Sequence, residues 1–378
     1  MTEFRFNHPT LPLTSRINSR CWYMYRRLHG WIKNLCRWEY RSAFLIYQPV
    51  FLYLIYLTIR YRSLSAPFYV NPGLRLSGFS GCSKSETLNV LPESAPVACY
   101  TKIEPGTRQS RFQRIKTFMT DHRLAYPVVL KPDRGNRGRG VAVVNSDEEV
   151  WSYLAEKNSP LIAQQYLKGK EFGLFYYRAP DQDTGEIFSI TCKEPVRVIG
   201  DGKRTLRQLI LDHPSASPMA AVHFKKHKDR LNEIPVKNET VNIVTIGTHS
   251  RGAVFSDGEH LISKTLKDEI NKFCSPSREF FFGRFDVIAP SAQSLSESGK
   301  FKIVELNGIT SESTNIYDHK NSYRDAIRIL CRQWRLAFEI GLKNRGDQNQ
   351  IPLRQIITGI LELQKNSREI EQSSKSLY

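Results

Sequence analysis

The sequence has few cysteines, and none of them stand in a metal-binding spacing. Its 378 residues include 7 cysteines, an odd number, and no two of them are separated by two residues. A disulfide framework needs paired cysteines, and a structural zinc site usually shows C-x-x-C pairs. The pattern argues against both and fits a chain that folds in a reducing compartment. The sequence also lacks internal repeats and long low-complexity runs.

Two common nucleotide-binding motifs are missing as well. No glycine stands five positions before Gly202 in the Gly202-Lys203 pair, and Arg204 occupies the place where a P-loop has serine or threonine. No dinucleotide fingerprint leads into a helix. A nucleotide site in this chain must therefore be built from other elements.

Acidic residues are scarce relative to basic ones. The chain has 37 Asp+Glu against 55 Lys+Arg, which gives a formal net charge of +18. The excess predicts an anionic partner, and composition does not choose among nucleotide, acidic substrate, nucleic acid and anionic lipid. The hydrophobic fraction of 40% is sufficient for a packed core, and the length suits two or three domains.

Residues 1–62 favour a membrane-associated helical segment. Basic and aromatic residues dominate 1–42, and the stretch 43–59 then carries no charge. Tryptophan, tyrosine and arginine favour the membrane interface. The uncharged stretch is at the lower limit for a spanning helix, which needs ~20 apolar residues, and Pro49 interrupts it. The proline- and glycine-rich residues 63–82 predict a linker.

Charge distribution bears on the orientation of this segment. In a single-pass arrangement, the positive-inside rule would hold the basic N-terminal side in the cytoplasm and place the rest of the chain outside, away from ATP. We therefore expect an in-plane or re-entrant anchor at the cytoplasmic face, bent at Pro49. A single-pass span and a buried core helix remain alternatives.

The central stretch 126–144 predicts a hairpin with a cationic, glycine-rich tip. Strands are expected at 126–130 and 141–144, and Lys131 follows the first strand. The tip between them contains Arg134, Gly135, Gly138 and Gly140. Glycine lets backbone N–H groups approach an anion closely, so the loop suits a polyphosphate. The alternative is a solvated basic hairpin.

Flanking segments could complete a nucleotide site. Helices are expected at 83–91, with Lys84 at its start, at 107–123, and from about Thr205. An adenine ring needs an apolar slot with backbone donors and acceptors, which a strand at 161–164 leading into a connector offers. The candidates here are Gln164, Gln165, Tyr166, Leu167, the ribose acceptor Glu171 and the cations Lys193 and Arg197. Each of them could instead belong to an exposed strand face. The loop 247–252 is either substrate-facing or an exposed insertion.

Two later strands predict a metal site. Arg284 and Asp286 are two residues apart, as are Glu305 and Asn307, so each pair lies on one face of its strand. With a polar hairpin between them, adjacent antiparallel strands would bring the two carboxylates and the amide together. Such oxygen ligands suit Mg²⁺. An exposed charge ladder is the alternative, but the apolar flanks favour burial.

The order of these motifs resembles the ATP-grasp superfamily over residues 83–330. The nearest likenesses are the D-alanine–D-alanine ligases and the ATP-grasp part of cyanophycin synthetase. The latter resembles the stretches VIGDGKRTLRQLI and LNEIPVKNETVNIV. The whole chain is similar to membrane-associated carboxylate–amine ligases, which carry an aromatic apolar segment before the catalytic part.

The resemblance implies an α+β ATP-grasp fold for a catalytic domain at 83–345, with a central subdomain at about 107–170. Residues 346–378 would form a C-terminal helix and a polar tail. Lys84 and Lys131 would contact phosphates, residues 135–140 would close over them, and 164–167 would hold adenine. The further implied roles are a ribose acceptor at Glu171, a phosphoryl-stabilising cation at Arg284 and magnesium ligands at Asp286, Glu305 and Asn307.

The implied activity is ATP-dependent joining of a carboxylate to an amine through an acyl phosphate, with ATP and two Mg²⁺ ions. Amino acids or peptide-like molecules are the expected substrates. The chain departs from the D-alanine–D-alanine ligases at Gln164, where an acidic residue is common, and in the missing N-terminal α/β domain. A membrane-associated ATP-binding protein without ligase turnover is the alternative. Nucleic acid is not an expected partner, because no binding signature for it appears.

Overall fold

The computed structural model describes Trp38 and residues 43–135, 138–155, 158–244, 253–346 and 351–373. Apart from Trp38, the residues behind the expectations for 1–42 and for the 247–252 loop lie outside these ranges. The chain divides into two compact units. The larger unit comprises residues 41–196 and 244–378, and residues 197–243 belong to the smaller one.

Helices and strands alternate along both units. In chain order they are α1 (Ala43–Arg60), α2 (Lys84–Asn89), β1 (Tyr100–Ile103), α3 (Arg108–Asp121), β2 (Val128–Pro132), β3 (Ala142–Val144), α4 (Asp147–Ala155), β4 (Leu161–Gln165), β5 (Lys170–Tyr177), β6 (Glu186–Glu194), β7 (Arg197–Ile199), α5 (Leu206–Asp212), α6 (Ala220–Lys226), β8 (Thr240–Asn242), β9 (Val254–Asp257), α7 (Lys264–Cys274), β10 (Phe282–Ala289), α8 (Ala292–Ser298), β11 (Lys302–Asn307), α9 (Tyr323–Arg345) and α10 (Leu353–Ser373).

A four-stranded sheet forms the first part of the larger unit. Its order is β1-β4-β2-β3, and every pairing in it is antiparallel. Helices α3 and α4 cover one face, where Ile115 and Val150 pack against Val128 and Leu161. The predicted hairpin of β2 and β3 is confirmed, and its first strand runs on through Lys131, which therefore sits in the sheet.

A five-stranded antiparallel sheet forms the second part. Its order is β11-β10-β5-β6-β9. Leu174, Ile190 and Phe285 pack beneath it against Leu266 and Phe273 of α7. The predicted α+β class is therefore confirmed, and the unit contains the two α+β parts that the ATP-grasp resemblance implies.

The prediction of a polar hairpin between β10 and β11 is wrong, because the short helix α8 connects the two strands. Ser291 caps its N-terminus by accepting a hydrogen bond from the Ser294 backbone at 3.0 Å. Leu295 is buried in the core, and Gly299 ends the helix in a left-handed conformation with φ 58°. The two strands still pair directly, as predicted.

Residues 63–82, expected to form a linker, are packed into the larger unit. Asn71 is fully buried, and its side chain bonds the backbone of Phe281 and Phe282 at the start of β10. Gly78, with φ 76°, approaches the backbone of Gly308 so closely that a Cβ would meet it at 2.8 Å. The segment therefore holds the ends of β10 and β11.

Helix α1 packs along α9. Leu57 is buried against Phe338, and the Tyr323 hydroxyl of α9 donates to the Ile46 carbonyl at 3.1 Å. Across the described ranges, no helix is long and apolar enough to cross a membrane. The polar C-terminal residues from 365 continue α10 as far as Ser373.

The smaller unit contains a two-stranded sheet and two short helices. Strand β7 pairs antiparallel with β8, and Thr205 opens α5 with a reciprocal capping interaction to Gln208. This confirms the helix predicted from about Thr205.

Candidate active site

Lys131 links the two sheets. Its Nζ donates to the Gln164 Oε1 at 2.8 Å within the four-stranded sheet and to the Val304 carbonyl of β11 at 3.0 Å. The side chain is buried. Burial lowers the pKa of Lys131 to about 8; nearby Glu305 opposes this shift, and the Lys84 ammonium adds to it.

Strands β10 and β11 bring the predicted metal ligands together. Asp286 stands opposite Glu305 in the register, and Arg284 stands opposite Asn307. This confirms the prediction that neighbouring antiparallel strands would place both pairs side by side. The register shifts immediately after Asp286, where Val304 of β11 is the extra residue without a partner position in β10.

Asp286 lies at the centre of a buried charge network. It accepts from the Arg284 Nε at 2.8 Å and lies 3.1 Å from the Lys193 Nζ. Lys193 also donates to Glu171 at 2.7 Å, so β5 and β6 join the network. Although burial alone would raise it, Arg284 and Lys193 hold the pKa of Asp286 at about 2. Asp286 therefore stays ionised.

The predicted adenine segment runs from the end of β4 into the connector. Gln164 is buried. Its Nε2 donates to the Val304 carbonyl at 3.3 Å, and its Oε1 accepts from the Lys131 Nζ. Gln165 ends β4, and Tyr166 is exposed. The departure at Gln164 thus has a structural use, because a glutamine bonds a lysine and a carbonyl at once.

The glycine-rich tip reaches the start of α2. Lys84 Nζ donates to the Gly135 carbonyl, and the Arg134 Nη1 donates to the Gly81 carbonyl at 3.2 Å. Gly135, Gly138 and Gly140 all have positive φ, at 141°, 67° and 71°. Substitution by larger residues would therefore strain the tip. Residues 136–137 lie outside the described ranges.

A cavity of about 220 Å³ opens beside these residues, lined in part by Lys84, Arg284, Glu305, Asn307 and Glu312. Sequence analysis did not single out Glu312. Its backbone carbonyl accepts from the Arg284 Nη1 at 3.0 Å, and its carboxylate accepts from the Tyr317 hydroxyl at 2.8 Å. A carboxylate is thus fixed at the wall of the cavity.

Helix α1 reaches the same wall through Tyr47. Burial raises the pKa of the Tyr47 phenol, and neighbouring Glu312 and Tyr317 raise it further. The helix taken as a membrane segment therefore also borders the candidate site.

Asp133 is a second residue that sequence analysis missed. It is buried next to Lys131 and Pro132, and it accepts from the Ser83 hydroxyl at 2.7 Å and from the Ser85 backbone and hydroxyl at 2.9 Å. These bonds tie the start of α2 to β2. Asp133 therefore fixes Lys84 relative to Lys131. The sequence signal that could have identified it is an aspartate two positions after the strand lysine.

Arg197 belongs to the smaller unit, where it begins β7. Its predicted contact with the nucleotide stays a prediction. The roles of the other predicted residues stay predictions too, although their side chains lie on the elements that surround Lys131 and Asp286.

The donor set fits a hard cation that completes its coordination with phosphate oxygens. In the ranges that the structure describes, no three His, Cys, Asp or Glu side chains cluster as a metal site. Here the set is two carboxylates in register and the amide of Asn307, whose Nδ2 is buried without a hydrogen-bond partner among the described residues. Oxygen donors of this kind suit Mg²⁺, which takes few protein ligands.

No family model matches the sequence. Similar curated proteins include the cyanophycin synthetase of Crocosphaera subtropica, 28% identical over 148 residues, which are 36% of this chain and 16% of that protein. Another is the cyanophycin synthetase of Synechocystis, 25% identical over 195 residues, or 50% of this chain and 19% of that protein. The resemblance to this family is therefore confirmed. The chain spans less than a fifth of the length of these relatives.

Solved structures with a similar chain course include the D-alanine–D-alanine ligase of Bacillus anthracis, with a TM-score of 0.40 and 14% identity, covering 71% of this chain and 69% of that one. A bifunctional glutathione synthetase from Pasteurella multocida has a TM-score of 0.38 and 17% identity, covering 66% of this chain and 36% of that one.

Proposed function

We propose that the protein is an ATP-dependent ligase that joins a carboxylate to an amine through an acyl phosphate. One observation carries the proposal. Lys131 of the four-stranded sheet bonds β11 of the five-stranded sheet at Val304, next to Glu305. A buried lysine suited to phosphate and carboxylates suited to Mg²⁺ thus share one place between two sheets.

ATP would bind between the two sheets. Lys131 and Lys84 supply positive charge for the phosphates, and the glycine-rich tip supplies backbone N–H groups. Residues 164–167 would hold the adenine, and Glu171 would accept from the ribose hydroxyls. Since Lys193 already bonds Glu171, the ribose contact would be linked to the charge network around Asp286.

The reaction would proceed in two displacements. The substrate carboxylate attacks the γ-phosphorus, the bond to the β-γ bridging oxygen breaks, and ADP leaves. The neutral amine then attacks the acyl carbon, inorganic phosphate leaves, and the nitrogen loses a proton to give the amide. Arg284, held by Asp286, would stabilise negative charge on the transferring group.

Asp286, Glu305 and Asn307 would hold Mg²⁺, which neutralises phosphate charge when bound. Two ions are proposed, as the family resemblance implies. Arg284 and Lys193 form ion pairs with Asp286 and balance its charge. Closure of residues 134–140 over the phosphates would exclude water, which would otherwise hydrolyse the acyl phosphate.

Phosphate and ADP release from Mg-ATP tests this proposal across pairs of amino acids and short peptides. We expect release that needs both an acid and an amine, and that is lost in Glu305→Gln. Glu297→Gln, an exposed carboxylate on α8, is the matched control and should behave as the wild type. ATP binding without release of phosphate and ADP for any acid–amine pair would favour an ATP-binding protein without ligase turnover. If the protein does not bind ATP, both the ligase and this alternative are wrong.

We further propose that the protein works at the cytoplasmic face of a membrane. The basic, aromatic residues 1–42 and the uncharged stretch 43–59 support this location, because both are typical of interfacial segments. The need for ATP favours the cytoplasmic side. Fractionation of cells that express the full chain tests the location, and recovery only in the soluble fraction at low salt would contradict it.

A further inference from the structure

The two faces of α1 meet different surroundings although both are apolar. Ile46, Val50 and Leu57 are buried on the side that packs along α9. On the opposite side, large apolar and aromatic side chains are between 49% and 71% exposed: Phe44, Phe51, Leu52, Ile55, Tyr56 and Ile59. Their helical spacing places them in one stripe along the helix. A contiguous exposed stripe of this kind marks an interaction surface.

A row of arginines lies on α9, the helix that packs along α1. Arg324, Arg328, Arg332 and Arg335 are three or four residues apart, and all four are exposed. This spacing places them on one side of the helix. Arg328 and Arg335 remain 76% and 52% exposed although each lies near one carboxylate of its own helix.

Two tyrosines connect the stripe with α9: Tyr56 belongs to the stripe, and Tyr53 is partly buried beside Leu57 and Phe338. Tyr53 and Tyr56 stack with their ring centroids 5.7 Å apart. Burial raises the pKa of the Tyr53 phenol, and the positive charge of nearby Arg335 opposes this rise. The Tyr56 hydroxyl accepts from Arg60 at 3.3 Å. Across the surface, therefore, apolar side chains give way first to tyrosines and then to arginines.

We propose that this α1/α9 face, made by the stripe, the two tyrosines and the arginine row, lies on a bilayer surface that contains anionic lipids. Helix α1 would lie in the membrane plane with its stripe in the acyl boundary. The tyrosines would sit at headgroup level, and the arginines would contact phosphates. The order of side chains matches the order of layers in the interface.

Charge decides against a second copy of the chain as the occupant. An antiparallel symmetric pairing of two α1/α9 faces would bring two arginine rows together, where like charges oppose association, and a parallel pairing would leave both rows at the outer edges of the contact. Anionic headgroups complement the row instead. The inference deepens the proposed membrane association, and it does not depend on ligase turnover.

Flotation of the full chain with lipid vesicles tests the apolar stripe. The variant Leu52→Ser/Ile55→Ser/Ile59→Ser should lose at least about tenfold in binding to phosphatidylcholine vesicles that contain phosphatidylglycerol. The matched control is Leu353→Ser/Ile357→Ser/Leu361→Ser on α10, where the same residue types are similarly exposed. The control should bind as the wild type, and both variants should unfold at the same urea concentration as the wild type.

The arginine row is tested separately by lipid charge. Arg328→Ala/Arg335→Ala should weaken binding to the anionic vesicles by roughly tenfold and leave binding to pure phosphatidylcholine unchanged. Arg230→Ala/Arg278→Ala, which removes two exposed arginines elsewhere, should have a smaller effect.

Three outcomes would overturn the inference. If the wild type binds neither vesicle, the membrane association itself is wrong. If the wild type binds but the α1 variant equals its α10 control, the association stands and the face is wrong, as it would be if residues 1–42 made the contact. A concentration-dependent dimer that the α1 variant abolishes, without vesicle binding, would identify a second copy as the occupant.

Discussion

At the scale of single residues, the candidate site is defined by buried charges with partners. Lys131 bonds Gln164 and the Val304 carbonyl, and Asp286 is held between Arg284 and Lys193. Removing either member of such a pair leaves an uncompensated charge in a low-dielectric place. The two charges nonetheless differ, because Asp286 is firmly ionised whereas the pKa of Lys131 has fallen to about 8.

The lowered pKa of Lys131 predicts a pH-dependent affinity for ATP. As the pH rises from about 7.5 to 9.5, Lys131 loses its proton, and the Kd of Mg-ATP should rise by roughly tenfold or more. The phosphates do not cause this change, since their last ionisation is already complete above about pH 7. Isothermal titration calorimetry at several pH values measures it.

Proton uptake provides the check on this assignment. Bound phosphates favour the ammonium form, so ATP binding near pH 8.5 should take up a proton, which shows as a dependence of the binding enthalpy on the buffer. Lys131→Arg stays charged and should show neither effect. Equal pH profiles for the wild type and this variant would contradict the prediction.

The same shift has the opposite sign for stability. The folded pKa of Lys131 lies below the unfolded value of ~10.4, so the folded state binds fewer protons between the two values. The lysine therefore disfavours folding below about pH 8, and this cost fades as the pH rises towards ~10.4. ATP binding thus favours the protonated form of Lys131, whereas folding favours the neutral form. Perturbed pKa values of this kind are common at functional sites.

At the scale of elements, the segment before α2 and the loop after β11 shape the cavity. Asn71 in the first segment accepts from the Phe281 and Phe282 backbone at 2.9 Å and donates to the Phe282 carbonyl at 2.7 Å. Glu312 in the second faces the cavity, with its backbone carbonyl bonded by Arg284. Each element supports a prediction.

Asn71→Ala should destabilise the protein by about 3 kcal/mol, because it leaves backbone groups at the start of β10 without partners. Urea unfolding measures this loss. Asn158→Ala is the control, since that exposed side chain accepts one bond, from the Gly106 backbone at 3.1 Å, and its loss should cost less than about 1 kcal/mol. Equal effects would mean that the Asn71 bonds do not hold the start of β10 in place.

Glu312→Gln should raise the KM for the amine substrate by about tenfold and leave the Kd of Mg-ATP unchanged. The reason is that a fixed carboxylate at the cavity wall can bind the amine substrate as an ammonium ion, before the ion loses a proton and attacks as the neutral amine, and a bond to a charged group contributes ~1.5–3 kcal/mol. Glu93→Gln, an exposed glutamate before β1, is the control. A loss of ATP affinity without an effect on the amine would place Glu312 in nucleotide binding instead.

These elements also mark where sequence reasoning succeeds. The placement of Asp286 and Glu305 follows from the two-residue period of a strand, a local property that needs no knowledge of the fold. Residue contacts such as those of Asn71 do not follow in this way, since its partners lie 210 and 211 positions further along the chain. Proline and glycine in residues 63–82 correctly predict an irregular backbone. They do not predict whether the segment is exposed, and here it is packed into the larger unit.

At the scale of the whole molecule, residues 197–243 of the smaller unit form an insertion between two segments of the larger unit. Residues 197–243 leave the larger unit after Val196 and return at Val244, and the Val244 backbone N–H bonds the Val196 carbonyl at 3.2 Å. Apart from Arg197, every residue predicted to bind ATP or metal lies in the larger unit. The core of the larger unit therefore does not require the insertion to connect its strands.

Replacement of residues 197–243 by a short glycine-serine linker should leave a protein that unfolds cooperatively in urea, because the joined ends already lie within hydrogen-bonding distance. If Arg197 contacts the nucleotide as predicted, the excision and the single change Arg197→Ala should weaken Mg-ATP binding equally, by roughly fivefold. An insertion of the same linker after Val244 in the full chain controls for the junction. A much larger loss in the excised protein than in Arg197→Ala would show that the smaller unit supplies further contacts, and an unchanged affinity in both would remove Arg197 from the site.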